Sequence, residues 1–169
     1  IHKDLFGHFA LPFYGMHMLY DSLAVITLGY LESMSAEYIQ ERLSTFDGVK
    51  RRYTVKTVGN NIYVDDYAHH PTAIRYVIEA TRSRYPHKKI VAVFQPDRFS
   101  RGLRFAKEFA EAMDLADYPF FVHFPENAKK EPGIDIDIYD IAKYNPRAQV
   151  IHEDEAAVKL LSQYDNVVY

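Results

Sequence analysis

The stretch that decides the fold reads Ile62-Tyr63-Val64-Asp65-Asp66-Tyr67-Ala68-His69-His70-Pro71. It begins as a β-branched apolar run and ends in two carboxylates, an aromatic ring, two imidazoles and a proline. After the proline, Ile74, Val77 and Ile78 recur at helical spacing. The sequence therefore predicts a polar turn where a strand passes into a helix, which is where open α/β sheets bind ligands.

This first turn has two plainer interpretations. Asp65 and Asp66 could simply end the strand and cap the helix, because aspartate is favoured in both places. His69 and His70 could ligate zinc, but neighbouring residues of one turn do not readily face the same ion, and no second ligand cluster lies near them. The crowding of two histidines and a tyrosine into one turn favours a ligand site instead.

A second polar turn follows the apolar run Lys89–Phe94 and reads Gln95-Pro96-Asp97-Arg98-Phe99-Ser100-Arg101-Gly102. In a parallel sheet both turns lie at the carboxyl edge, so we expect their side chains to converge. Arg98 and Arg101 suit a carboxylate or a phosphate, because guanidinium binds both in a bidentate manner and a helix N-terminus adds partial positive charge. The plainer alternative is solvated surface charge.

The period of the apolar residues divides the chain into a helical first part and an alternating second part. A helix from His17, with an apolar stripe of Leu19, Leu23, Ile26 and Tyr30, and a second helix capped by Ser35 precede the connector Asp47–Arg52. Predicted strands are 53–58, 62–64, 89–94, 118–124, 149–152 and 166–169; predicted helices are 72–84, one carrying Phe105, Phe109, Ala112 and Met113, 136–144 and 153–164. The first two strands form a β-hairpin, and the rest predict an α/β fold: a mostly parallel, Rossmann-like sheet with helices on both faces.

Composition excludes several classes of protein. The 169 residues are 48% hydrophobic, which suits one globular domain or one domain with an appended piece. The net charge of -3 argues against general binding to nucleic acid or to anionic membranes, and no apolar run is long enough to cross a bilayer. There is no cysteine, so thiolate metal sites and cysteine nucleophiles are excluded. We expect a cytoplasmic location, because no signal peptide is visible.

Common catalytic motifs are also missing. Neither G-x-x-x-x-G-K-[ST] nor G-x-G-x-x-G occurs, so any nucleotide must find its main phosphate cradle elsewhere. Ser100 lacks the glycines of a nucleophile elbow. His17 and Asp21 lie one helical turn apart and offer another polar pair. The chain begins without Met and ends in an apolar run, so we expect it to be part of a longer protein.

Four segments in order resemble motifs of the Mur ligases of peptidoglycan synthesis, nearest to the branch that adds L-alanine: Gly15–Asp21, Phe46–Tyr53, Asp65–Pro71 and Phe94–Arg101. The resemblance covers nearly the whole chain. It implies that residues 1–47 end a central ATPase domain and that residues 48–169 form a C-terminal domain that stops before its last segment. Five positions depart from the pattern: Asp97 in place of a histidine, Gly102 in place of a threonine, Met18 in place of an asparagine or threonine, Asp21 in place of an asparagine, and Ala73 in place of a frequent glutamate. Asp97 would either tighten the orientation of the arginines or weaken anion binding.

The resemblance implies an ATP-dependent, amide-forming ligase with Mg²⁺. The carboxylate of UDP-N-acetylmuramate would become an acyl phosphate, and the amino group of L-alanine would displace phosphate. The implied substrate-binding residues are Arg98, Arg101, His69 and His70; the nucleotide-binding residues are Asp66, Tyr67, Arg52 and Asp21; the metal residue is His17. Alternatives are a ligase that recycles a murein tripeptide, a non-catalytic module that binds an acidic metabolite, and a metal-dependent hydrolase using the two adjacent histidines.

Overall fold

The computed structural model of the protein describes residues 5–126, 128 and 131–169. The chain divides into two compact units at the junction of Val49 and Lys50. The first unit contains two helices and the second contains the sheet. Within the described residues, no helix is both long and apolar enough to cross a membrane.

In the first unit, helix α1 (Met16–Leu31) packs against helix α2 (Ala36–Ser44). The predicted N-cap is confirmed, because the Ser35 side chain accepts a hydrogen bond from the backbone N–H of Tyr38 at 3.2 Å. Gly29 is the close-contact point between the helices. A Cβ there would lie 2.7 Å from Cδ1 of Ile39, so glycine lets the buried isoleucine approach the α1 backbone.

The predicted apolar stripe of α1 is present but is not buried. Leu19 and Leu23 are 47% and 55% exposed, and Leu28 and Leu31 are exposed as well. The residues that α1 does bury are Ser22 and Gly29. The predicted helix is therefore confirmed, and its apolar stripe is left largely exposed in this unit. A helix that exposes this much apolar surface is typical of an interaction surface.

The second unit is built on a six-stranded sheet. Its strands are β1 (Thr54–Val58), β2 (Asn61–Asp65), β3 (Lys89–Phe94), β4 (Tyr118–Val122), β5 (Gln149–Ile151) and β6 (Val167–Val168). Their order across the sheet is β1-β2-β6-β3-β4-β5. The β1–β2 hairpin is antiparallel and the other four pairings are parallel, which confirms the predicted mostly parallel sheet.

Helices cover both faces of the sheet, as predicted. They are α3 (Pro71–Arg84), α4 (Phe99–Arg104), α5 (Ala106–Met113), α6 (Ile138–Ala142) and α7 (Glu155–Leu161). Side chains of β3 alternate between the two faces, so Ile90 and Phe94 join the core under α3, α5 and α6, while Val91 joins the smaller core under α7. Phe109 and Phe121 are completely enclosed in the larger core.

Several element boundaries differ from the prediction, including those of α7, which was predicted at 153–164 and spans Glu155–Leu161. The helix after Arg98 breaks at Phe105, whose backbone leaves the helical region, and becomes α4 and α5. Strand β4 ends at Val122, two residues early. Helix α6 is shorter than predicted because Asp137 caps it, with the reciprocal bond from its N–H to Asp140. The predicted loop 125–133 falls partly on residues 127, 129 and 130, which lie outside the described part of the chain.

Candidate functional site

A cavity of about 290 Å³ lies at the carboxyl edge of the sheet, beyond the ends of β2 and β3. These strands are separated by the two-residue strand β6 alone, so the turns that follow them meet. The convergence that we expected from the sequence is therefore observed. The lining residues are Arg51, Asp66, Tyr67, Ala68, His69, Val93, Phe94, Gln95, Pro96, Asp97 and Pro125.

The connector that precedes β1 forms one wall of this cavity. The N–H of Tyr53 donates to Oδ2 of Asp66 at 2.8 Å, and the N–H of Tyr67 donates to the carbonyl of Arg51 at 2.8 Å. The guanidinium of Arg51 lies 4.8 Å from the ring centroid of Tyr67, in a cation–π contact. The linker arginine at the cavity is thus Arg51, which the sequence analysis did not single out. Arg52, the predicted one, is exposed and does not line the cavity.

The structure gives the two histidines of the first turn different surroundings. His69 lines the cavity, and its Nδ1 lies 2.9 Å from the carbonyl oxygen of Tyr67. A carbonyl only accepts, so Nδ1 is the donor of this bond and Nε2 takes no part in it. His70 instead caps α3, because its Nδ1 accepts from the N–H of Thr72 at 3.3 Å. Its ring packs edge-on against Phe105, and it does not line the cavity. The helix cap is therefore a histidine, and neither aspartate supplies it.

Carboxylates of the protein already engage the second turn. Nη1 of Arg101 donates to Oδ1 of Asp97 at 2.9 Å. Oε2 of Glu131 accepts from the N–H of Ser100 at 2.9 Å, in the first turn of α4. Arg98 is exposed immediately before that helix. The structure thus brings Asp66, Tyr67 and His69 to the cavity, whereas Arg98 and Arg101 lie just outside its lining.

Gly102 departs from the motif for a packing reason. A Cβ at this position would lie 2.9 Å from Cζ of Phe124 and 3.4 Å from Cδ1 of Ile141. The Phe124 ring is fixed in turn by stacking on Phe99, with their centroids 4.4 Å apart. The Phe124 ring therefore occupies the space that a side chain at position 102 would need.

The remaining predicted residues, His17 and Asp21, belong to α1 of the first unit. Across the part of the chain that the structure describes, no group of three or more His, Asp or Glu side chains could hold a metal ion. The two adjacent histidines have different roles, since His69 lines the cavity and His70 caps a helix. The metal-dependent hydrolase therefore gains no support from this geometry.

A further histidine pair forms between two residues that are far apart in the sequence. His123 and His152 follow β4 and β5, and their rings stack with centroids 4.0 Å apart. Nε2 of His123 is buried, and no described residue bonds to it. Gln95 lies beside this pair, with its Nε2 donating to the His123 carbonyl at 3.0 Å and to Glu153 at 3.3 Å. Both histidines directly follow apolar strands, a position that marks the sheet edge.

Fold and site together define an α/β domain that presents a polar, ligand-sized cavity at the carboxyl edge of a parallel sheet. Residues 50–168 match the family described as Mur ligase, glutamate ligase domain, and the chain belongs to the Mur ligase family.

Solved structures agree with this assignment. The UDP-N-acetylmuramate-alanine ligase MurC of Thermotoga maritima is 27% identical, with a TM-score of 0.73 over 95% of this chain and 35% of that one. The murein peptide ligase of Psychrobacter arcticus is 23% identical, with a TM-score of 0.66 over 95% and 34%. The pseudomurein peptide ligase type C of Methanothermus fervidus is 19% identical, with a TM-score of 0.69 over 96% and 34%. The last two likenesses concern the fold, and the chain spans about a third of each structure.

Proposed function

We propose that this chain is part of an ATP-dependent ligase that joins L-alanine to UDP-N-acetylmuramate through an amide bond. The observation that carries the proposal is the cavity where the two motif-bearing turns meet, in a chain 27% identical to the Thermotoga alanine ligase. The cavity is about 290 Å³, large enough for a small polar molecule rather than a macromolecule. In this proposal the second unit supplies one part of the active site, and the rest of the protein supplies the other part.

The first unit fits the end of a larger central domain, with the boundary near residue 47. Helix α1 exposes Leu19 and Leu23 on one side and Leu28 on the opposite side, and this much exposed apolar surface is typical of a helix that a partner covers. The remainder of an ATPase domain would provide that cover. Residues 48–169 would then be the C-terminal domain.

The cavity residues suit the roles that we propose for them. Tyr67 is 47% exposed and offers a flat aromatic surface, and Asp66 fixes the linker beside it, so this side of the cavity would face the nucleotide. For Arg52, which lies outside the cavity lining, and for Asp21, which belongs to the first unit, the proposed nucleotide contacts rest on the family motifs alone. Arg98 provides an exposed positive charge for a carboxylate or a transferring phosphoryl group, and we assign Arg101 and His70 to the same substrate. When bound, ATP would supply the phosphoryl group that activates the carboxylate. Mg²⁺ prefers oxygen ligands and takes most of them from phosphates and water, so in this proposal His17 would contact the water shell of the ion and would not bind the ion directly.

His69 contributes an imidazole to this cavity, the side-chain type that most often acts as a general base. An ammonium nitrogen must lose one proton before its lone pair can attack the acyl carbon. Nε2 of His69 would take that proton, because Nδ1 is committed to the Tyr67 carbonyl. The new C–N bond then forms as the C–O bond to phosphate breaks, and phosphate leaves with the electron pair.

The test is amine-dependent release of phosphate from ATP by the complete polypeptide that contains this chain. We expect release with UDP-N-acetylmuramate and L-alanine, together with formation of the amide product. Release with a murein tripeptide in place of L-alanine would identify the recycling ligase instead. Binding of these compounds without any phosphate release would contradict a ligase and would favour a binding module.

A further inference from the structure

A second cavity, of about 320 Å³, lies between β2 and β3, beyond the point where β6 ends. Val168, the last residue of β6, pairs with Ile62 of β2 and with Ile90 of β3. Both neighbouring strands continue past these partners, β3 as far as Phe94. Apart from Tyr169, no described residue fills the space between the two continuing strands, so the sheet contains a gap one strand wide, which we call the strand gap.

The backbone on both sides of the strand gap carries acceptors that lack donors. Val64 donates its N–H to the Tyr169 carbonyl at 2.7 Å, so its own carbonyl, which points the same way, faces the gap. The carbonyl of Ile90 accepts from the N–H of Asp117 at 3.1 Å on the β4 side, so the carbonyl of the next residue, Val91, faces the gap. No described residue donates to either carbonyl. Because carbonyls inside a protein are nearly always paired, these two indicate that a strand fills the gap.

The floor of the strand gap is apolar. Ile74 and Ile78 of α3 and Met113 of α5 line it, and all three side chains are buried. The ring of Tyr169 lies on the opposite face of the sheet, where it stacks on Tyr63 with the ring centroids 4.9 Å apart. Side chains alternate along a strand, so the residue after Tyr169 in an extended chain would point to the floor. An occupant in line with β6 therefore needs an apolar side chain at that place and tolerates a polar one at the next.

We propose that the strand gap is filled by residues that follow Tyr169 in a longer polypeptide, as a continuation of β6 parallel to β3. Tyr169 stands in line with the gap, so a strand from any other chain would meet it end-on. The N–H of the first added residue would donate to the Val91 carbonyl, and that of the second to the Val64 carbonyl. Three added residues would reach the level of Phe94, because Phe94 lies four positions beyond Ile90 and Tyr169 fills the first.

The continued strand would also complete the candidate functional site. The strand gap and the cavity at the carboxyl edge share four lining residues, namely Asp66, Ala68, Val93 and Phe94. A strand that fills the gap therefore ends between the two motif-bearing turns and forms one wall of that cavity. This role rests on the proposed function only in that the chain is part of a longer protein, which agrees with its spanning 35% of the Thermotoga alanine ligase.

The test compares this chain with the same chain extended to the natural carboxyl end of its polypeptide, any cysteine of the extension being replaced by serine. The chain itself has no cysteine, so an Ala92→Cys variant reports access to the strand gap through its rate of reaction with a methanethiosulfonate reagent. We expect the extension to slow this reaction by about 100-fold, because a filled gap opens only by local unfolding. Leu103→Cys is the matched control, since Leu103 is exposed on α4 outside the gap, and its two rates should agree within about 2-fold.

Two variants of the extended chain test the arrangement of the strand. Aspartate in place of the first residue after Tyr169 should restore the fast reaction of Ala92→Cys, because it would put a charge on the apolar floor. Aspartate in place of the second residue should leave the protection unchanged. That side chain would point to the other face of the sheet, beside Val93, which is 45% exposed.

Equal rates of Ala92→Cys in the two chains, an equal slowing of the Leu103→Cys control, or protection that survives aspartate at the first place would each overturn the proposal. So would a natural polypeptide with nothing after Tyr169. Amine-dependent phosphate release by the complete polypeptide reports on the ligase function separately. Release together with an unprotected Ala92→Cys would remove the strand and keep the ligase, whereas protection without release would keep the strand and remove the ligase.

Discussion

The backbone N–H of Tyr53 donates a hydrogen bond to the side chain of Asp66 at 2.8 Å, across thirteen positions of sequence. One carboxylate of the motif-bearing turn therefore holds the linker, and this bond fixes which linker side chain lies at the cavity. Tyr53 and Arg51 both adopt left-handed backbone conformations, with φ of 50° and 59°. Such conformations are costly for these residues and persist only where the surroundings impose them.

Asp66→Asn should loosen the linker, because an amide accepts a hydrogen bond from the Tyr53 N–H less strongly than a carboxylate does. We expect the free energy of unfolding to fall by about 1 kcal/mol, measured by urea denaturation, with faster amide exchange at residues 51–53. Asp65→Asn is the control, since Asp65 is exposed and does not line the cavity. Equal losses in both variants would refute a specific role for Asp66.

Asp117 should make the stability of the second unit depend on pH in the acid range. Burial tends to raise its pKa, but hydrogen bonds from the N–H of Ile90, from Lys89 and from Arg82 outweigh burial and lower the pKa to about 2. A carboxyl whose pKa is lower in the folded state stabilises it above the unfolded pKa, and that stability is lost as pH falls toward the folded pKa.

The window of this effect therefore lies between about pH 4 and pH 2. Asp117→Asn should lower the free energy of unfolding at pH 7 by about 1–2 kcal/mol and flatten the loss in this window. Thermal unfolding monitored by circular dichroism at a series of pH values would measure both effects. Glu111→Gln, which removes an exposed ion pair at 3.6 Å, should change neither.

Gly102→Thr would install the residue of the motif and should destabilise this chain. Its Cβ would meet the Phe124 ring at 2.9 Å, and overpacking of this kind costs about 1–3 kcal/mol. Adding Phe124→Leu should recover part of the loss by making room. Leu103→Thr, at an exposed position of the same helix, serves as the control for helix propensity. Full stability of the single Gly102 variant would show that the ring moves aside freely.

His123→Phe should leave stability unchanged or raise it by up to about 1 kcal/mol. The buried Nε2 has no described partner, so the variant removes an unsatisfied polar atom and keeps the ring stacked on His152. Chemical denaturation would measure the change. A loss of more than about 1 kcal/mol would mean that Nε2 makes a favourable contact, for example with water. His152→Phe, at an exposed position, is the comparison.

Arg98→Ala should raise the KM of the complete enzyme for UDP-N-acetylmuramate, the acidic substrate of the proposed reaction, with little effect on folding. Its exposed side chain is placed before α4, where a guanidinium can meet an anion. Steady-state phosphate release at varied substrate concentration is the measurement. Lys107 is another exposed cation, on α5, and Lys107→Ala should leave this KM unchanged. If both variants behave alike, Arg98 contributes general surface charge and no specific contact.

The sequence predicted the sheet and the meeting of the two turns, because both follow from apolar period and from the direction of parallel strands. It did not distinguish Arg51 from Arg52, since that choice depends on a tertiary bond from Tyr53 to Asp66 that imposes an unusual backbone. The stacking of His123 on His152 was equally hidden, because it joins the ends of two strands far apart in sequence. The break at Phe105 is set by packing against His70 and Phe109, which local propensity does not contain.

Strand β3 is fastened at both of its ends. Asp117 holds its beginning through the N–H of Ile90, and Gln95, directly after its last residue, ties its end to the chain leaving β4 and to Glu153. A strand restrained in this way cannot slide along its neighbours, so its amide protons should exchange with solvent only when the whole unit unfolds. When a ligand binds at the carboxyl edge, the side chains there would rotate while the backbone of β3 keeps its position.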